Sequence, residues 1–254
     1  MVISEHPRHK DIIDLLESDF ITCENGGLNS VYQRLIQYSL KKNPTLEDKK
    51  NIGKASFNDL KYKDKIKELK EFDKITTFAS DLPIFIKSES ENAKTIMVCA
   101  MDALPPTPSR PEEYKKDTVG FGAPFDLIGN NSDQNSIFFQ ELSKNYHLYI
   151  TDIYKLFFYI TTNKKENNKE IFSKSNSIPN YKKIEVHRNI LKKEIEIINP
   201  HCIITLGNDS RDSIIKMNNK SNNKKLKPAP WIKKNIETNE KVADLQMYEI
   251  DSYS

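Results

Sequence analysis

The sequence is poor in glycine, with 7 among 254 residues. The stretch after its first strongly apolar run, Met101-Asp-Ala-Leu-Pro-Pro106, holds none. A phosphate-cradling glycine loop is therefore missing where a nucleotide-binding Rossmann-like enzyme would need one. Cysteine is scarce too. Cys23, Cys99 and Cys202 are far apart, and no C-x2-C pair exists. That argues against a zinc ribbon or an iron–sulfur cluster. Cys99 and Cys202 lie in apolar runs, where a thiol behaves as a small hydrophobe. No apolar stretch approaches the roughly 20 residues that cross a bilayer. The longest, Leu148 to Ile160, is interrupted by Asp152 and Lys155. Glu5, His6, Arg8 and His9 occupy the N-terminus without an apolar segment behind them, so no secretory signal is read. The expectation is a soluble, cytoplasmic protein with no membrane partner. Net charge is only +3, so a nucleic-acid surface would have to come from local clustering. Runs such as Lys61 to Lys70, Lys164-Lys165, Lys182-Lys183 and Lys224 to Lys227 are more often solvated faces in so lysine-rich a chain.

What is present is a change of pattern along the chain. Residues Asp11 to Leu16 and Leu28 to Leu40 read as helices, the second capped by Asn29 or Ser30. Lys42 to Asp81 is charged and weakly patterned, with one helix expected between Phe57 and Phe72. Residues 1–80 are read as a helical extension packed on a main domain of residues 81–254. From Thr95 the residues Thr95-Ile-Met-Val-Cys-Ala100 form a continuous apolar run, as in a strand buried on both faces. A helix over Ile137 to Leu142, capped by Ser132 or Asp133, leads to a second strand, His147 to Thr151. Tyr181 to Asn199 repeats Ile184, His187, Leu191, Ile195 and Ile198 at helical steps. Pro200 ends it before a third strand, Cys202 to Leu206. A helix over Asp209 to Met217 and a fourth strand, Leu245 to Ile250, complete the series. Strands alternating with helices predict an α/β fold of three layers, α/β/α, with a short four-stranded parallel sheet. Such sheets carry their chemistry beyond the carboxyl ends of the strands.

The residues at those ends resemble the uracil-DNA glycosylase superfamily. The closest stretch is Asn189 to Gly207, reading Ile-Leu-x-x-Glu-Ile-x-x-Ile-x-Pro and then Cys-Ile-Ile-Thr-Leu-Gly. Leu148-Tyr-Ile-Thr-Asp-Ile-Tyr-Lys155 resembles the second strand, which ordinarily ends in Asn. Val98-Cys-Ala-Met-Asp102 stands in the place of the first motif, whose activating Asp follows a Gly by two residues. Gly122-Ala-Pro-Phe125 resembles the segment that supplies a stacking ring. The resemblance spans about Thr95 to Ser213. The chain departs from the pattern at Ala100, at Asp152, and at His187, where iron–sulfur members have Cys. The His-Pro-Ser motif expected after the last strand is absent.

The resemblance implies a DNA glycosylase that hydrolyses the bond to a flipped-out base, with no metal or organic cofactor. Asp102 would stabilise the cationic sugar and orient water. Asp117 and Asp126 are fallback carboxylates. Phe125 would stack on the base, with Phe121 competing and Met101 beside them. Asp152 would read the base edge. An ionised carboxylate only accepts hydrogen bonds, so it suits an amino-bearing base such as a modified cytosine better than uracil. A cytosine absent from host DNA, as in phage genomes, makes antiviral defence the expected setting. Ser109, Arg110, Gly207 and Ser210 are candidates for DNA phosphates. The partner is single-stranded DNA or a duplex with a flipped base, met by a monomer. Plainer readings compete: Asp152 as a cap or ion-pair partner of Lys155, His187 as a packed core histidine, Trp231 as core or wedge. A second function stays open: a superfamily member without catalysis that binds nucleic acid or a protein.

Overall fold

Unbroken apolar runs, which are satisfied only by burial on both faces, form the strands at the centre of the molecule. The computed structural model describes residues 3–23, 26–41, 45, 48, 52–90, 92–102, 117–124, 134–166, 169–174, 181, 184–207, 210–214, 227–228 and 245–249. In chain order, α1 (His9–Asp19) and α2 (Gly27–Ser39) precede β1 (Lys54–Ser56), the short α3 (Lys63–Lys67), β2 (Ile75–Asp81) and β3 (Ile84–Ile86). Next come β4 (Thr95–Asp102), β5 (Thr118–Gly122), α4 (Gln134–Ser143) and β6 (His147–Tyr154). The remainder is β7 (Phe157–Glu166), β8 (Lys169–Lys174), α5 (Glu185–Ile198), β9 (Cys202–Leu206), β10 (Lys227–Pro228) and β11 (Leu245–Glu249). Residues 210–214 are also helical.

Among the described residues the fold is mixed α/β with two sheets. One has six strands in the order β10-β11-β9-β4-β6-β3, the other five in the order β1-β5-β2-β7-β8. In the first, β4 is central and pairs in parallel with β6 on one side and β9 on the other. The flanking strands β3 and β11 run antiparallel to it. The expected fourth strand is therefore present as β11, with its direction reversed. The second sheet was not read from the sequence. Its β2 and β5 are parallel, and its other pairings are antiparallel. Only Lys155 and Leu156 separate β6 from β7, so the chain passes from one sheet to the other in two residues.

The boundary expected at residues 80 and 81 falls inside β2, and residues on both sides of it enter one hydrophobic core running from Ile3 to Ile214. Helix α1 packs against α2 and α5, and α4 and α5 both pack on β6. The single helix expected between Phe57 and Phe72 is instead a 3-10 turn at Phe57–Asp59, α3, and a second 3-10 turn at Phe72–Lys74. The Ser56 hydroxyl and the Asp59 carboxylate cap the start of the first turn reciprocally, and the extended backbone of Leu60, at ψ 128, ends it. Helix α2 starts on Gly26 at φ 98, without the side-chain cap expected from Asn29 or Ser30. The Ser132 or Asp133 cap for α4 lies outside the described residues. Among the described residues no helix is long and apolar enough to cross a membrane.

Helix α5 ends on Asn199, held left-handed at φ 45, with its N–H donating to the Ile195 carbonyl. Pro200 then prevents continuation, and the His201 N–H donates to the Thr95 carbonyl at 2.8 Å, aiming β9 alongside β4. Asn tolerates this conformation, whereas a Cβ residue without a compensating polar side chain is strained by about 1 kcal/mol. Asn199→Ala should therefore lower urea stability by about 1 kcal/mol, and Asn199→Gly by less than half of that. Equal losses in the two variants would show that backbone strain at this turn is not what Asn199 relieves.

Candidate functional site

The path of the chain singles out the carboxyl end of β4. From β4 the chain reaches β6 on one side, then crosses back to β9 on the other. In an open α/β sheet the crevice at such a reversal is where ligands bind. Asp102 is the last residue of β4, and its register partner is Tyr154 of β6. Ala100 is paired with Asp152. The two acidic residues thus occupy neighbouring parallel strands, two positions apart along the strand direction. Asp152 is buried, at 2% exposure.

The other residues singled out from the sequence distribute as follows. Met101 is half-buried and packs against the main core. Gly207 follows β9 with φ 88, and its carbonyl accepts the Arg211 N–H at 3.2 Å, opening the next helix. Ser210 stands in that helix, fully buried, and its hydroxyl has no hydrogen-bond partner among the described residues. Phe121 is part of the core. Asp117 is exposed, and its carbonyl accepts the Phe57 N–H. Phe125, Ser109, Arg110, Asp126 and Trp231 lie outside the described residues.

The sequence reading missed a buried polar cluster on the other face of β6. Side chains alternate along a strand, so Tyr149 and Thr151 face away from Asp152 and toward α5. Glu194 of α5 meets them there. Its carboxylate accepts from the Tyr149 hydroxyl at 3.2 Å and lies 3.3 Å from the Thr151 hydroxyl. The Lys155 ammonium reaches Glu194 Oε2 at 2.5 Å and also donates to the Thr151 hydroxyl. Lys155 and Glu194 are both buried, their side chains 1% and 0% exposed. The ion-pair partner of Lys155 is therefore Glu194, so the alternative of an Asp152–Lys155 pair is set aside. Cys99 of β4 is buried nearby. Burial pushes its thiol well above the usual range, with Lys155 pulling it down and Glu194 and Asp152 pushing it up. Burial and the Glu194 carboxylate likewise hold the Tyr149 phenol neutral.

His187, two turns before Glu194 on α5, is a core histidine, fully buried among Tyr62, Tyr154 and Tyr181. Its Nδ1 accepts the Lys155 backbone N–H at 3.2 Å, so the neutral ring carries its proton on Nε2. Burial, and secondarily the Lys155 charge, lower its pKa to about 3. Two signals in the sequence mark this cluster: a Glu on the apolar stripe of α5, between Leu191 and Ile198, and a Lys inside the apolar run Leu148 to Ile160. Among the described residues no group of three His, Cys, Asp or Glu side chains is placed to hold a metal ion.

The lowered pKa of His187 has a definite sign. Between its ordinary value of 6.5 and about 3, the unfolded chain takes up a proton that the folded chain refuses. The stability contributed by the neutral ring is complete above the ordinary value and is lost as pH falls below it. The loss approaches about 1.4 kcal/mol per pH unit. His187→Gln should reduce the pH slope of urea stability between roughly pH 5.5 and 4 by about that amount. An unaltered slope would mean that His187 titrates alike in both states. In comparisons with known proteins, no family model, no curated protein and no solved structure matches this chain.

Proposed function

We propose that the chain is a DNA glycosylase of the uracil-DNA glycosylase type, acting on a base flipped out of DNA. The observation that carries this reading is the position of Asp102 and Asp152. They lie on adjacent parallel strands, two register positions apart, at the carboxyl edge where the chain reverses direction across the sheet. The α5–Pro200–β9–Gly207 succession supports it as well, because the resemblance to the superfamily is densest there. In finer detail the reading takes β6, β4, β9 and β11 as a glycosylase-type sheet between helical layers.

In the proposed step the N-glycosidic bond breaks with its electron pair leaving on the base, and the sugar becomes cationic at C1′. The Asp102 carboxylate stabilises that cation and orients a water. The water oxygen bonds to C1′, its proton passes to the carboxylate, and an abasic site remains. Phe125 stacks on the extruded base beside Met101, and Asp152 accepts a hydrogen bond from an exocyclic amino group. Ser109, Arg110 and Gly207 hold phosphates, while Ser210, fully buried, is set aside as a direct phosphate contact. The step calls for no metal or organic cofactor. The favoured substrate is a modified cytosine, as in phage DNA, with uracil second.

One observation favours a second reading, a non-catalytic relative that binds nucleic acid or a protein: Ala100 and Asp152 stand where the superfamily motifs have Gly and Asn. Both readings meet the same assay. The protein is incubated with single-stranded and duplex DNA bearing uracil, cytosine, hydroxymethylcytosine or glucosylated hydroxymethylcytosine, and abasic sites are cleaved with alkali. Strand breaks at an amino-bearing base are expected, falling about 100-fold or more in Asp102→Asn. Asp152→Asn should move preference toward uracil. Breaks on no substrate would favour the second reading, and an unmoved preference would remove Asp152 from the base contact.

A further inference from the structure

We propose that Lys155 is a positioning residue, clamped from α5 by Glu194 and His187, and that the clamp fixes the strand end that carries Asp152. The inference rests on the reading of Asp152 as the base-contacting residue. Lys155 lies three residues after Asp152, in the two-residue passage between the sheets. It is gripped at two points. Its backbone N–H donates to His187 Nδ1, and its ammonium to Glu194 and Thr151. His187 and Glu194 are seven residues apart, two turns along one face of α5. One grip fixes the backbone and the other the side chain, so both the position and the direction of the passage are set.

Stability alone does not account for this arrangement. Replacing a fully buried ion pair by well-packed apolar side chains is often neutral or stabilising. A pair that is retained at 1% and 0% exposure, at the end of the strand leading from Asp152, is explained by the geometry it imposes. Catalytic geometry is that sensitive: a misplacement of 1 Å costs on the order of 100-fold in rate.

The test is Lys155→Met combined with Glu194→Leu, which removes both charges together. Lys155→Gln with Glu194→Gln, which keeps neutral hydrogen-bonding partners, serves if the apolar pair does not fold. Hydrogen exchange is read on the amides of residues 152–156 and, as a reference, on Ile96 to Val98 at the sheet centre. Exchange at 152–156 should quicken about tenfold or more, with the reference amides unchanged. Excision kcat should fall on the order of 10-fold to 100-fold, with KM for DNA within about threefold. A folded variant with unchanged protection at 152–156 overturns the proposal, as does faster exchange with unchanged kcat. If exchange quickens but the wild-type protein excises no base from any DNA, the clamp stands and the glycosylase reading falls.

Discussion

Helix α5 and the two sheets meet at the two-residue passage in which the chain leaves one sheet and enters the other. β6 belongs to the six-stranded sheet and β7 to the five-stranded one, with Lys155 and Leu156 between them. Such a passage lacks a ladder partner, yet it is buried, and a buried backbone donor without a partner is costly. The Lys155 N–H is satisfied by a histidine nitrogen from α5, and the Lys155 ammonium by a carboxylate two turns further along the same helix. Removing either charge alone would leave the other stranded in a medium that solvates it poorly. Breaking such pairs costs about 3–5 kcal/mol. The helix, the two sheets and the strand end of Asp152 are therefore constrained together.

The strands and helices from Thr95 to Leu206 were largely legible because their apolar periodicity is strong. Thr95 to Ala100, His147 to Thr151 and Cys202 to Leu206 read as strands and are strands, and the α5 stripe reads as a helix and is one. The second sheet was not legible. β1 and β5 are short and alternate in burial, and β7 begins so soon after β6 that Leu148 to Ile160 looks like one apolar run. A charged residue within such a run was read as an interruption. It marks the place where the chain changes sheets. The reversed direction of β11 is beyond any local pattern, because strand direction is set by pairing with β9 and not by the strand's own residues.

The site was legible to a different degree. That acidic residues stand at the ends of two apolar strands follows from the sequence, but their adjacency depends on strand order, and only the pairing of β4 with β6 supplies it. The Lys155–Glu194 pair was hidden for the converse reason. Either residue alone is unremarkable in a lysine-rich and glutamate-rich chain. Their pairing spans 39 positions, and only the packing of α5 on β6 makes it. His187 was legible as a core residue from its place on the stripe, while its grip on the Lys155 backbone was not.

The two faces of β6 divide the electrostatics of the centre. On the α5 face the Glu194 carboxylate is met by an ammonium and by the hydroxyls of Tyr149 and Thr151, so its charge is answered within the core. Asp152, next to Thr151 in sequence, lies on the opposite face, and Lys155 is already engaged by Glu194. Two buried carboxyl residues, Glu194 and Asp152, thus lie on opposite faces of one strand. In the proposed reading Asp152 meets an exocyclic amino group, which donates where an ionised carboxylate accepts. The proposed preference for an amino-bearing base rests on the acceptor chemistry of Asp152, and the Lys155–Glu194 pair bears on it only through the end of β6, which carries Asp152 and leads into Lys155.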